Sequence, residues 1–132
     1  FNWKHSIAKV AARLSDAELA EKLRSIPSKE RQEAWLRAAR KPYTEAEEDE
    51  ARRKLVALLD RMEAMLGEGG GWLVGGRYSI ADIAVVPFVK RIEEEIAPDE
   101  MSAAKHPRVH DWWRRVQARP AFKTARIESF YD

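Results

Sequence analysis

Cysteine is absent from the chain. That one absence removes disulfides, a thiol nucleophile and thiolate metal sites, and leaves the redox compartment open. Long hydrophobic runs are missing too: no stretch approaches the roughly 18 apolar residues of a membrane-crossing helix. The N-terminus lacks a signal-peptide pattern, so a cytoplasmic protein with no membrane partner is expected. Charge of one sign is not in excess, since 24 Lys and Arg interleave with 22 Asp and Glu for a formal net charge of +2. The pI of about 9.0 is therefore a weak pointer to nucleic acid. Val, Ile and Thr nowhere alternate with polar residues over a strand length, so almost no sheet is expected. No repeat, low-complexity segment or second domain is apparent. The chain opens on Phe1-Asn2-Trp3-Lys4 without an initiator Met, as expected of a chain entered partway through a longer protein.

What is present suits one all-α domain over residues 1–132. With 45% apolar and 35% charged residues the chain can bury a core without staples. Trp3, Ile7, Val10 and Leu14 fall at helical spacing and predict a first helix over 1–14. Ser15-Asp16-Ala17-Glu18 spells a capping box for a short helix that Ile26-Pro27 ends. Ser28 caps another, to about Arg40, before Pro42. Thr44-Glu45-Ala46-Glu47 is a second box and opens the longest helix, over 45–66. Glu48–Arg52, Asp49–Arg53 and Glu50–Lys54 are i,i+4 pairs there, each contributing roughly 0.2–0.5 kcal/mol. Gly67 is the expected left-handed residue that stops this helix. The Gly67–Gly71 run resembles a phosphate loop only superficially, because no Lys-Ser/Thr follows it and no strand precedes it.

The most apolar segment, Ile80 to Phe88, carries one carboxylate, Asp82. Capping logic explains it. With Ser79 at the N-cap, Asp82 is N3, and hydroxyl and carboxylate satisfy each other's main-chain N–H. Tyr78 and Ile83 occupy the positions of a hydrophobic staple. Apolar residues around the whole circumference predict a buried central helix starting at Ser79, kinked near Pro87. No partner acid or base accompanies Asp82, so catalysis by it is not expected. Further on, His106-Pro107 begins a helix with Val109, Trp112, Trp113 and Val116 on one face. Arg119-Pro120-Ala121-Phe122 ends that helix and starts a short turn, followed by a loose tail over 128–132.

These residues carry a resemblance. Trp72-Leu73-Val74-Gly75-Gly76-Arg77-Tyr78-Ser79-Ile80-Ala81-Asp82-Ile83, then Pro87, then Trp112 and Arg119-Pro120-Ala121-Phe122, resemble the C-terminal helical domain of cytosolic glutathione transferases. The spelling looks most like bacterial members, near the β-etherase-like branch. The resemblance implies a dimeric protein of two domains, with a thioredoxin-like N-terminal domain that binds the co-substrate glutathione. That domain supplies the Tyr, Ser or Cys that stabilises the thiolate, while the helical domain lines the pocket for a hydrophobic electrophile. Conjugation of the detoxification type follows. No part of the thioredoxin-like domain is legible here, so this chain alone is expected to be inert. The alternative is a non-catalytic interaction module, like the similar helical domains attached to translation factors and aminoacyl-tRNA synthetases.

By position, the first helix matches the family helix facing the cleft, which makes Trp3, Ser6, Ile7 and Val10 the expected electrophile wall, with Arg13 as an available charge. The same stripe also reads as core or dimer surface. His106 and His110 stand at i,i+4, but neither a third ligand nor a Glu base accompanies them, so no metal is expected. His106 reads as a helix cap. Adjacent Trp112 and Trp113 are not both expected to point inward. From Lys105 to Arg126 seven basic residues face one acid, Asp111, which reads as a solvated helix face and not a nucleic-acid site.

Overall fold

Hydroxyl side chains start the helices α2 (Asp16–Arg24), α3 (Lys29–Arg40), α4 (Glu45–Glu68) and α5 (Ile80–Arg91). Ser15 closes its capping box with Glu18, whose carboxylate accepts from the Ser15 N–H at 2.8 Å. Ser28 accepts from the Arg31 N–H at 3.4 Å. Thr44 accepts from the Glu47 N–H at 3.3 Å while Glu47 accepts from the Thr44 N–H at 3.0 Å. The computed structural model describes residues 7–41 and 43–125, and among them every regular element is helical. The remaining elements are α1 (Ala8–Ala11), a π-helical turn Ile92–Ile96, a 3-10 turn Pro98–Met101, α6 (Pro107–Ala118) and α7 (Pro120–Thr124). The chain divides into two compact units, Phe1–Glu50 and Ala51–Asp132, with the boundary inside α4.

In the first unit α3 lies against α1 and α2. Ala11, Leu19 and Ala38 are buried, one from each helix. Arg40 ties the layers together, donating to the Leu14 carbonyl at 2.9 Å and to the Asp16 carboxylate at 2.7 Å. The guanidinium of Arg37 hydrogen-bonds Glu47 and lies over the Tyr43 ring. That bond, with help from the Thr44 N–H, holds the Glu47 carboxyl down at about 2. The Trp3–Ile7–Val10–Leu14 stripe differs from expectation where it can be seen. Ala11 is fully buried, whereas Val10 is 55% exposed, so the inward face is turned by one residue. Trp3 and Ser6 lie outside the described residues, as does the tail over 128–132.

The second unit is built on Leu59, Met62 and Leu66 of α4, Val86 and Val89 of α5, Ile92 and Ile96 of the π turn, and four residues of α6. Gly67 does not end α4, contrary to its sequence reading. The helix runs on through Glu68, and the left-handed residue is Gly70, at φ 62°. The Gly71 N–H reaches back to the Leu66 carbonyl at 3.1 Å, as a Schellman turn around Gly70 requires. Gly69 is needed for another reason: a Cβ there would stand 2.1 Å from the Trp72 carbonyl oxygen.

α5 passes through Pro87 without ending. It is buried on one face only. Asp82, Val86 and Val89 are enclosed, but Ile80 is 78% exposed and Ile83 and Phe88 about half exposed. An apolar circumference therefore did not mean burial on all sides. Its inner arc meets the second unit's core, and its outer arc is a surface.

α6 has Pro107 at its first position, as expected, but its cap comes from elsewhere. The Glu63 carboxylate of α4 accepts from the main-chain N–H of Arg108 at 3.0 Å and of Val109 at 2.9 Å. Two orphan donors and the positive end of a helix dipole thus meet one anion. Glu63→Ala should lower stability by about 1–2 kcal/mol. Urea midpoints of the two forms check this, and equal midpoints would mean that water caps α6 equally well.

Candidate functional site

Asp82 is where the motif residues meet. Its Oδ2 accepts from the Ser79 N–H at 2.8 Å and from the Ser79 hydroxyl at 3.2 Å. Both arms of the capping box are in place, and the Ser79 hydroxyl also accepts from the Ala81 N–H at 3.3 Å. The other oxygen, Oδ1, turns away from the helix. It accepts from the Leu73 N–H at 3.2 Å and from the Trp112 indole N–H at 2.9 Å. The carboxylate is fully enclosed. A buried acid needs its lone pairs filled, and here donors from a loop, a helix start and α6 fill them. So engaged, Asp82 has no free oxygen for acid–base work. It organises; it does not react.

The loop before α5 is clamped by the same logic. Gly71, Gly75 and Gly76 take left-handed φ and let Trp72 and Tyr78 fold back on each other, edge to face at 5.2 Å. Arg115 lies over the Trp72 ring at 4.4 Å, donates to the Gly71 carbonyl at 2.6 Å, and pairs with Asp111 at 2.9 Å. Arg119 lies over the Tyr78 ring at 3.6 Å. The Arg-Pro-Ala-Phe ending is thus a second clasp, because Phe122 also meets Trp113 edge to face at 5.6 Å. Tyr78, placed by the sequence as a staple on Ile83, has Trp72 and Arg119 as its ring partners. It lines a groove together with Ile83.

Trp112 and Trp113 correct the sequence reading. Both are buried, stacked at 6.0 Å. Neighbouring helix positions differ by about 100°, and the covered arc of α6 is wider than that. Trp112 faces Asp82, and Trp113 faces Phe122. Within the basic stretch Lys105, Arg108, Arg114 and Lys123 are exposed, as expected of a solvated face, while Arg115 and Arg119 lie over the Trp72 and Tyr78 rings. His106 sits at the α6 N-cap position without a side-chain cap bond, so its ring serves another purpose. The His110 ring binds the Met101 carbonyl at 3.0 Å. Among the described residues no group of three or more His, Cys, Asp or Glu could hold a metal.

Among the grooves of the described residues, two bear on the predicted site residues. In the first unit Val10, Leu14, Lys22 and Trp35 line about 490 Å³, with Lys22 5.2 Å above the Trp35 ring. In the second, Tyr78, Ile83, Val86, Pro87, Val116 and Phe122 line about 310 Å³. Of the proposed electrophile wall, Val10 lines a groove, Ile7 is half-buried and Arg13 is exposed. Trp3 and Ser6 lie outside the described residues. The Trp112–Asp82 bond was missed from sequence because a pairing thirty positions apart leaves no local period. The one available signal was that a buried carboxylate has more acceptor capacity than a single cap uses.

Asp82→Ala would strand the Leu73, Ser79 and Trp112 donors together. At roughly 1–3 kcal/mol for each buried donor, a loss above about 3 kcal/mol is expected. Trp112→Phe, which keeps the bulk and deletes one donor, should cost about 1–2 kcal/mol. Chemical denaturation of the variants measures both, and a Trp112→Phe protein as stable as its parent would remove the indole from this account.

The chain resembles known proteins over most of its length. The family described as glutathione S-transferase, C-terminal domain, matches residues 26–120. Protein LigF of Sphingobium sp. is 31% identical over 92% of this chain and 48% of its own length. The glutathione S-transferase-like protein tpcF of Aspergillus fumigatus is 32% identical over 54% of this chain and 32% of its own. The crystal structure of the β-etherase LigF from Sphingobium superposes with a TM-score of 0.78 at 30% identity, covering 93% of this chain and 51% of that one. The chain spans about half the length of the first of these relatives, and its match to the second covers about a third of that protein. With the matched residues enclosing the whole Trp72–Asp82–Trp112–Arg119 arrangement, the chain belongs to the glutathione S-transferase family and is an all-helical domain of its C-terminal type.

Proposed function

We propose that this chain is the electrophile-binding and dimerising half of a cytoplasmic glutathione transferase. The family match over 26–120 carries the reading. In it, a thioredoxin-like half of the same protein binds glutathione and lowers the pKa of its thiol by hydrogen bonding, which raises the thiolate fraction near neutral pH. The thiolate sulfur forms a bond to an electrophilic carbon as the bond from that carbon to its leaving group breaks. In this reading the nucleophile is the glutathione thiolate and the residue that stabilises it belongs to the thioredoxin-like half, while Asp82 of the present chain is committed to donors within the fold. Its part is shape: the wall of Trp3, Ser6, Ile7 and Val10, with Arg13 beside it, receives a hydrophobic electrophile. The exposed apolar arc of α5, Ile80, Ile83 and Phe88, suits docking of the thioredoxin-like half. The likeness to a β-etherase favours an ether carbon as the electrophile, with the ether oxygen leaving and taking up a proton.

The full-length protein should bind immobilised glutathione, consume thiol in the presence of a β-aryl ether or an aryl halide, and elute as a dimer, while this chain alone turns over neither substrate. A full-length protein that neither binds glutathione nor conjugates would replace this reading with the non-catalytic interaction module. Val10→Phe in the full-length enzyme should raise the KM for the electrophile about two- to tenfold. The KM for glutathione should stay unchanged. Steady-state kinetics with each substrate varied in turn separate the two effects, and unaltered electrophile kinetics would take Val10 out of the pocket.

A further inference from the structure

His106 is enclosed at the start of α6, with only 5% of its surface exposed. Each ring nitrogen faces an oxygen from a different element. Nδ1 is 2.7 Å from the Glu100 carbonyl in the 3-10 turn, and Nε2 is 3.0 Å from the Asp60 carboxylate on α4. Neither a carbonyl nor a carboxylate can donate. Both contacts are therefore hydrogen bonds only when both nitrogens carry a proton. A neutral ring would set a nitrogen lone pair against an oxygen at one of these short distances.

The charged neighbours favour the same state. From α4 come Asp60 and, one turn on, Glu63, which holds the N–H groups of Arg108 and Val109. From the 3-10 turn comes the Glu100 carboxylate, 3.8 Å from Nδ1 and paired with Lys105 at 2.6 Å. Arg108 and Lys105 are the cations, and His110 donates its main-chain N–H to the His106 carbonyl at 2.9 Å. Glu63 is met by Arg108 and Glu100 by Lys105, which Asp99 also faces, so the Asp60 carboxylate is the charge left for the imidazolium to meet.

We propose that His106 is a proton-operated clasp, closed as the imidazolium, that holds α4, the 3-10 turn and the first turn of α6 together and loosens when the ring loses its proton. α6 also carries Trp112, so the clasp sits on the helix that supplies the indole donor to Asp82. Burial is the largest single influence on the ring and pulls its pKa down. The Asp60 bond, the Glu100 carbonyl and the two carboxylate charges together outweigh it, leaving a net rise above the ordinary 6.5. For a cation whose folded pKa is raised, the sign is fixed. The stabilisation is complete below the unfolded value of 6.5 and is lost as the pH climbs through the raised folded value.

The test uses this chain. In the wild type the His106 ring, followed by NMR, should titrate with a midpoint above 6.5, with both ring nitrogens protonated below it. Asp60→Asn, a change at an exposed and nearly isosteric position, should bring that midpoint down. Urea unfolding between about pH 5.5 and about pH 9 should show the wild-type unfolding constant rising relative to that of His106→Gln, by up to tenfold for each unit of raised pKa. A wild-type midpoint at or below 6.5 overturns the clasp even if the Gln variant does not fold. Parallel pH profiles for wild type and variant do the same.

Discussion

One carboxylate with its lone pairs filled from three directions organises the second unit. A helix start needs partners for its free N–H groups, and a local serine–aspartate box supplies them anywhere on a protein. What distinguishes Asp82 is the oxygen left over after the box closes. Directed outward from α5, it takes the Leu73 N–H and the Trp112 indole, and so fixes the approach of a loop and a helix to the same point. An enclosed acid without those donors would be costly, so the three elements are bound to arrive together.

The surrounding contacts repeat this borrowing across elements. α6 has no hydroxyl cap of its own, and Glu63 of α4 provides the anion its N–H groups require. Arg115 and Arg119, which look like solvent-facing charge, lie on the aromatic rings of the loop before α5. A cation on an aromatic face keeps much of its hydration while covering apolar surface, which suits a joint at the edge of the core. The result is a second unit in which the starts of α5 and α6 are tied to other elements, with an outer arc of α5 left apolar and exposed.

The residues that make the family recognisable are the ones that build the Asp82 junction and its two arginine clasps. They account for the fold around α5, and the carboxylate among them is committed to donors within it. Among the surfaces open to a ligand or a partner are the groove beside Val10, the groove beside Phe122 and the exposed side of α5. All are predominantly apolar, as a receiving surface for a hydrophobic molecule or another domain would be.

Local features were legible in the chain because their physics is local. Ser15, Ser28, Thr44 and Ser79 announce helix starts through donors and acceptors two or three residues apart, and Pro107 and Pro120 mark first helical positions by their missing N–H. The all-helical class followed from period and caps alone. Which of several glycines ends α4 depended on where the chain next had to go, so Gly70 and not Gly67 took the left-handed turn. The inward orientation of both tryptophans, the half-covered circumference of α5, the partners of His106 and the second oxygen of Asp82 share one cause. Each depends on groups from another element, and only three-dimensional packing brings such groups together.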